Sequence, residues 1–358
     1  MAITTPAYTT RETIKRALDQ GEVARNNRNI DRCIESASRN VELLCHRTFY
    51  PHIATKYFNW PGGQGAPPWR LWLDDNDLIS LTAATSGGTN IPTGNVLLEP
   101  NTSGPPYTRV EIDVSTSSAF GGGSTHQRDI ALSGLWGWND DHYSSGATIE
   151  ALDDSETTVD VDAAVAIQVG VGSILKIDDE RLLVSERRQL DTGQVVGGTG
   201  LTPSKGDTTL SVTDGTAFEV DETLLLGAER ALITEIAGNT LTIERAFEGS
   251  TSSTHPAGTA IYAPRTLVVE RGALGSTAEA HTSGTPIQVW RVPAGLRQYV
   301  TAEAIHELMQ EQTGWFRTMS ASSIFGGTAK RAATVEALMD FRDQTYQTYG
   351  RKARTRAI

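Results

Sequence analysis

Thr240-Leu-Thr-Ile-Glu-Arg-Ala-Phe-Glu-Gly-Ser-Thr-Ser-Ser-Thr-His-Pro-Ala-Gly-Thr-Ala-Ile261 is answered 26 residues later by Thr266-Leu-Val-Val-Glu-Arg-Gly-Ala-Leu-Gly-Ser-Thr-Ala-Glu-Ala-His-Thr-Ser-Gly-Thr-Pro-Ile287. Both copies read Thr-Leu-x-x-Glu-Arg, then Gly-Ser-Thr, then His-x-x-Gly-Thr-x-Ile. The halves before them match as well. Leu175 to Glu186 aligns with Leu224 to Glu235, and a Thr-Thr-x-x-Val piece precedes each, at 157–161 and 208–212. The order is first half, first half, second half, second half. Nesting is the simplest account: an inner module at 204–262 lies inside an outer module at 151–203 and 263–290. A tandem pair with exchanged halves needs longer crossings. Leu190 to Pro203, with Gly197-Gly198-Thr199-Gly200, is the junction. Strand-like runs between turn residues predict a small β barrel or sandwich for each module. Hairpins are expected at Asp178-Asp179 and at Gly238-Asn239, where Asn accepts a positive φ at low cost.

On either side of this region the material changes. Thr9-x-x-Glu12 has the pattern of a capping box and opens a helix that stops at Gly21. A second helix is expected from about Asn29, because Ile30, Ile34, Ala37, Val41 and Leu44 share one face. Strand candidates follow at Phe49–Trp60, Leu78–Ala84, Val96–Leu98, Arg109–Val114 and Asp129–Trp136, separated by Gly, Pro, Asn and Ser clusters. They suggest a small antiparallel meander. Helical spacing returns at Pro293, with Leu296, Val300, Ala304, Leu308 and Met309 on one stripe. A last helix runs through Ala332, Val335, Leu338, Met339 and Arg342 into a basic end. The expected fold class is therefore α+β: a core of helices with a small antiparallel sheet, at 1–150 and 291–358, interrupted by the all-β insertion of two nested modules.

The 358 residues suit two or three domains. Net charge is −12, which argues against a nonspecific nucleic-acid binder. Arg351, Lys352, Arg354 and Arg356 carry four positive charges at the end, so the remainder carries −16. That basic end reads either as a contact for phosphate or an acidic partner, or as a solubilising terminus. No apolar run reaches membrane-span length, so no membrane partner is expected. Met1 to Pro6 lacks the pattern of a secretory signal. Cys33 and Cys45 fall on one helix, about 18 Å apart along its axis, and cannot bridge; a reducing cytoplasm is expected.

No catalytic, cofactor or metal site is expected. His255 and His281 hold equivalent repeat positions, and either a metal or sugar contact or a structural loop role suits them; without a second His or Cys at ligand spacing the structural role is preferred. Glu244-Arg245 and Glu270-Arg271 are neighbours on strands and point to opposite faces, which disfavours joint acid–base work. The carboxylates at Asp153-Asp154, Asp160, Asp162 and Asp178-Asp179-Glu180 fit no calcium loop and read as solvated strand edges. The glycine clusters at 62–65, 121–123 and 197–200 lack the lysine and the strand–helix frame of a phosphate loop. Neither a Gly-x-Ser-x-Gly elbow nor a His-Glu-x-x-His motif occurs.

Three stretches outside the β insertion carry a resemblance. They are the helix Ile30 to Tyr50 with its Arg-x-Phe ending, the strand Asp129-Ile-Ala-Leu-Ser-Gly-Leu-Trp-Gly-Trp138, and the helix Val292-Pro-Ala-Gly-Leu-Arg-Gln-Tyr-Val-Thr-Ala-Glu-Ala-Ile305. Together these parts, about 60% of the chain, resemble the head–tail connector (adaptor) proteins of long-tailed bacteriophages. In that family the helix follows the strand almost at once, whereas here residues 151–292 intervene. The resemblance implies a structural virion protein, not an enzyme. It implies a homo-oligomeric ring in the neck, commonly a dodecamer, assembled in the host cytoplasm. Its partners would be the portal protein above and a stopper or tail-completion protein below. DNA would pass through the lumen during ejection without specific binding. Arg351, Lys352, Arg354 and Arg356 are then candidates for portal contact. Two other readings compete. One is a neck or tail protein whose β modules bind host surface or glycan, with Phe218, Phe247, Tyr262 and Trp290 as the aromatics available. The other is a tail hydrolase, which the missing motifs disfavour.

Overall fold

The computed structural model describes residues 3–18, 24–60, 67–314 and 327–351. The chain divides into two compact units. One comprises Met1–Arg39, His142–Ala273 and Thr277–Asp343; the other comprises Asn40–Asp141, Leu274–Ser276 and Gln344–Ile358.

Helix α1 (Arg11–Leu18) begins the described helices. Its cap is Thr10, whose Oγ1 accepts from the Thr13 N–H at 3.3 Å. Thr9 is not the cap: it is buried, and its hydroxyl meets Thr301 at 2.8 Å. Glu12 does not close a capping box either; its carboxylate accepts the Val171 N–H at 2.8 Å. Tertiary partners outcompeted the local motif. Gly21 lies outside the described residues. Helix α2 (Ala24–Cys45) starts five residues before the expected Asn29. It buries Ile30, Ile34, Ala37 and Val41, and both cysteines on it are buried and free. Arg11 clamps Asp31 with two hydrogen bonds of 2.7 and 2.6 Å, tying α1 to α2 through a buried ion pair.

The second unit holds strands β1 (His52–Phe58), β2 (Arg70–Trp72), β3 (Leu78–Ser86), β4 (Thr89–Ile91), β5 (Val96–Glu99), β6 (Arg109–Ile112) and β7 (Ile130–Trp136). They form a four-stranded sheet in the order β1-β7-β3-β4 and a three-stranded sheet in the order β2-β6-β5. Every second residue of β7 is buried, which is the period-2 signature of a sheet wet on one side. Trp136 anchors the core: it is fully buried, and its Nε1 donates to the Ala54 carbonyl at 2.9 Å.

The first unit takes up the chain again at β8 (His142–Ala147), β9 (Thr158–Asp160), α3 (Ala163–Gln168), β10 (Ile174–Ile177) and β11 (Glu180–Val195). It continues with β12 (Thr209–Ser211), β13 (Thr223–Leu226), β14 (Glu229–Ala237), β15 (Thr240–Glu244), β16 (Ala260–Glu270) and β17 (Pro286–Trp290). One antiparallel sheet of ten strands runs β12-β15-β14-β13-β16-β11-β10-β17-β8, with β9 pairing on β16. Two apolar cores lie along it. Leu152 to Val184 with Leu267 to Val289 supply one, and Val196 to Ala263 supply the other. Asp178 and Gly238 take positive φ in the turns at 178–179 and 238–239. Helices α4 (Ala294–Gly314) and α5 (Gly327–Tyr349) complete the described chain.

The fold class read from the sequence is thus overturned. The protein is mostly β, with 35% strand against 25% helix among the described residues, and it is not a helical core with a small sheet. The cause is the length of two strands. β11 has 16 residues and β16 has 11, and their shared ladder runs from Leu183↔Glu270 to Val195↔Ala260, past both cores. What reads as two separate modules is fused into one large sheet. Pro264, which has no N–H to donate, sits where the register slips between Arg188 and Leu190.

Because β16 carries Ile261 in one core and Leu267 in the other, the two cores should melt together. Ile261→Ala and Leu267→Ala should each cost about 2–5 kcal/mol. Each should shift one shared transition in a urea titration followed by circular dichroism. Two separate transitions would show that the cores unfold independently.

Candidate functional site

The repeat builds the same charged cluster twice. Glu180 follows the turn between β10 and β11, and Glu229 follows the turn between β13 and β14; neither side chain is exposed. In the outer module Arg271 grips Glu180 bidentately, Nε to Oε1 at 2.7 Å and Nη2 to Oε2 at 2.8 Å. His281 Nε2 lies 2.9 Å from Oε2, and the Gly272 and Glu279 N–H groups donate to the two oxygens. In the inner module Arg245 grips Glu229 at 2.6 and 2.7 Å, and His255 Nε2 lies at 2.8 Å. The Ala246 and Ser253 N–H groups complete that set. The spare guanidinium hydrogens also match. Arg271 donates to the carbonyls of Asp153, Glu156 and Glu279, and Arg245 to those of Thr202, Asp207 and Ser253.

Burial alone would raise both carboxyls. The arginine, the backbone N–H groups and the histidine reverse that and hold Glu180 and Glu229 each down to about 2. The charged form is fully paired, which is the condition for an ion pair to survive in an apolar interior.

Ser253, His255 and Glu229 are not arranged as a catalytic relay. Ser253 Oγ and Glu229 both approach His255 at Nε2, at 3.2 and 2.8 Å. A relay needs the hydroxyl on one ring nitrogen and the carboxylate on the other. The outer copy carries Glu279 where the inner has Ser253. Among the described residues no group of three or more His, Cys, Asp or Glu side chains comes together as a metal site. No described helix is long and apolar enough to cross a membrane.

Other residues singled out in the sequence fall as follows. Glu244 and Glu270 are exposed while their neighbours Arg245 and Arg271 turn inward, so the functional pairing runs between strands, not between neighbours. Most of the carboxylates read as solvated edges have structural partners. Asp162 caps α3 through the Val165 N–H at 2.9 Å, Asp153 caps a turn, and Asp160 accepts the Thr266 hydroxyl. Glu180 is not solvated at all. Its role was signalled by the Glu-Arg that recurs at 180–181 and 229–230. A charge kept at one register of both copies had a partner to find.

A cleft in the first unit is lined by α1 and both modules, including Glu12, Lys15, Arg16, Arg187, Asp221 and Glu248. Its charges are mixed in sign and cross-linked: Arg187 approaches Glu12 at 4.0 Å and Arg230 binds Glu248 at 3.1 Å. In the second unit, Arg351 is no free tail residue. Its Nη2 lies 2.8 Å from buried Asp77, its Nη1 donates to the Asp74 carbonyl at 2.9 Å, and its N–H donates to the Cys45 carbonyl at 3.0 Å. Arg47 approaches Asp77 from another side at 3.5 Å. Burial pushes the Asp77 carboxyl up, against the pull of Arg47, Arg351 and Lys56. Lys352, Arg354 and Arg356 lie outside the described residues.

No family model, curated protein or solved structure matches this chain.

Glu180→Gln and Glu229→Gln should each destabilise by about 3–5 kcal/mol, since each leaves a buried arginine half-paired. Asp178→Asn, at a side chain 64% exposed beside His281, should cost under about 1 kcal/mol. Equilibrium urea unfolding measures both. The same depressed carboxyls set a pH window. Their contribution is complete above the ordinary glutamate value of 4.5 and is lost as pH falls from there to about 2. Urea midpoints measured between pH 6 and 2.5 should fall most steeply below 4.5, and less so in the glutamine variants.

Proposed function

We propose that the chain is a structural virion protein: the head–tail connector (adaptor) subunit, forming a ring below the portal and linking capsid to tail around the DNA passage. The observation that carries this reading is how the β region begins and ends. β8 and β17 are antiparallel neighbours, with Trp290 opposite His142. Opposed residues lie about 4.5–5.5 Å apart. Taking out residues 142–290 would therefore leave the strand that ends at Trp136 and the helix that starts at Ala294 nearly in sequence. That is the order of elements in the connector family.

The helices support it. Helices α1 and α2 are tied to α4, although some 270–290 residues separate the bonded side chains. Thr9 bonds Thr301, Ser36 donates to Glu307 at 2.9 Å, and Arg32 pairs with Glu311. The acidic balance suits a channel wall, because like charge repels the phosphates of passing DNA. The arginine–glutamate–histidine clusters suit mechanical bracing of the β region.

Cryo-electron microscopy of purified virions should find the chain as a ring at the neck, directly under the portal. Absence from virions, or density in the tail fibres, would overturn the reading. A second measurement addresses the basic end. Because Arg351 locks into Asp77, the informative truncation removes 352–358 and keeps Arg351. That truncation should weaken portal binding about tenfold, or about 1.4 kcal/mol. Unchanged affinity would remove the tail from the contact.

A further inference from the structure

Lys56 is the only lysine or arginine in the strands of the four-stranded sheet. Alternation places it on the inner side of β1 with Ala54 and Phe58, opposite buried Leu132 of β7. Its Nζ sits 4.7 Å from the centre of the Trp136 ring, which is fully buried. Burial lowers the pKa of this ammonium; Asp77 opposes the shift and Arg351 adds to it. A desolvated lysine with a second cation nearby has the setting of a nucleophilic amine.

The group that faces this amine is an amide. Lys56 Nζ donates to Asn76 Oδ1 at 2.7 Å. Asp74, Asp75 and Asp77 stand beside Asn76 in sequence, yet the hydrogen bond goes to the neutral side chain. The amide is held from its other end. Asn76 Nδ2 and the Asn76 backbone N–H both donate to the Leu73 carbonyl, at 3.0 and 2.9 Å. That fixes the orientation, because the opposite flip would turn two N–H groups toward an ammonium. A carbonyl bond is about 1.23 Å long, so Asn76 Cγ lies within about 3.9 Å of Nζ. A small rotation at the end of the lysine brings Nζ to the ~3–3.5 Å from which attack on that carbon begins.

We propose that Lys56 and Asn76 join in an isopeptide bond, which ties β1 to the turn leading into β3. Lys56 first gives its ammonium proton to water. The amine Nζ then bonds to Asn76 Cγ, the Cγ–Nδ2 bond breaks, and Nδ2 leaves as ammonia with one hydrogen taken from Nζ. One amide replaces another, so neither oxidant nor reductant is consumed. In the order β1-β7-β3-β4 the new bond straddles β7 and links both of its neighbours. Both cysteines are free and lie on α2, so no disulfide provides such a link. A cross-link of this kind is independent of what the chain assembles into.

Mass spectrometry tests it on the full chain, held folded until its mass is constant. The chain should be lighter than its sequence by one ammonia. Trypsin cuts after lysine and arginine but not after an acylated lysine. A digest under denaturing conditions should therefore give residues 48–70 joined to 71–109 as one branched peptide, with loss of the separate 57–70 peptide. Lys56→Arg keeps a cation beside Trp136, and Asn76→Ala removes the amide. Each should show the full sequence mass and no branched peptide, a readout that holds whether or not the variant folds. The unmodified chain at its full sequence mass overturns the bond. Loss of ammonia without the branched peptide also overturns it, since that marks an asparagine cyclised on its own backbone. A branched peptide that persists in Asn76→Ala overturns the assignment to Asn76.

Discussion

A carboxylate with no exposure has to be matched atom by atom, and the loops of each β module are arranged around that requirement. Glu180 and Glu229 each stand at the start of a strand, just after a tight turn. Their oxygens reach the end of the module where the chain closes. One arginine, two backbone N–H groups and one histidine meet there, and the arginine passes its remaining hydrogens to carbonyls of further segments. A single buried charge therefore fixes several stretches that are distant in sequence. Small β modules bury limited apolar surface, and disulfides or metals commonly supplement their cores. Here both cysteines are free and remote on α2, and the ion pair serves as the staple.

Nesting shows how robust this staple is. The Glu229–Arg245 pair closes 16 residues, whereas the equivalent Glu180–Arg271 pair closes 91 because the inner module lies between its halves. Loop-closure entropy grows only with the logarithm of length, so the longer closure costs about 1.5 kcal/mol more. That is less than the loss expected from breaking either buried pair. The insertion also recovers part of this cost. The outer module's long strands carry straight on into the inner one, so β11 and β16 stay paired across the junction and no exposed sheet edge is left between modules.

This fusion was the part of the fold that pattern alone did not reveal. Alternation shows which face of a strand is buried, not which strand lies beside it. Leu267, Val269, Ile261 and Ala263 alternate inward along β16 without marking that they enter two different cores. The helical stripes of α2 and α4 were legible because Ile34, Val41, Val300 and Leu308 keep their period whatever they pack on. The capping box was not. Thr9 and Glu12 have the right spacing, but partners 292 and 159 residues away claimed both side chains. The charged cluster was half legible: the histidines and arginines stand out by repetition, while Glu180 reads as part of a solvated strand edge and Glu229 only as a repeat match. Distinguishing a solvated from a buried carboxylate needs the partner, and the partner lies on another strand.

Arg351 makes the same point at the chain's end and alters the electrostatic picture. Counted by sequence, it belongs to a basic tail; by contact, it belongs to the second unit, bound to Asp77 and to the carbonyls of Asp74 and Cys45. Its charge offsets a buried carboxylate and is not available to a partner. Any basic surface beyond it rests on Lys352, Arg354 and Arg356. The lock has a mechanical consequence. The backbone is held at Arg351 by the Cys45 carbonyl, and its guanidinium by Asp77 and the Asp74 carbonyl, so a pull on residues beyond it is shared with the strand-bearing part of the second unit and does not fall on the end of α5 alone.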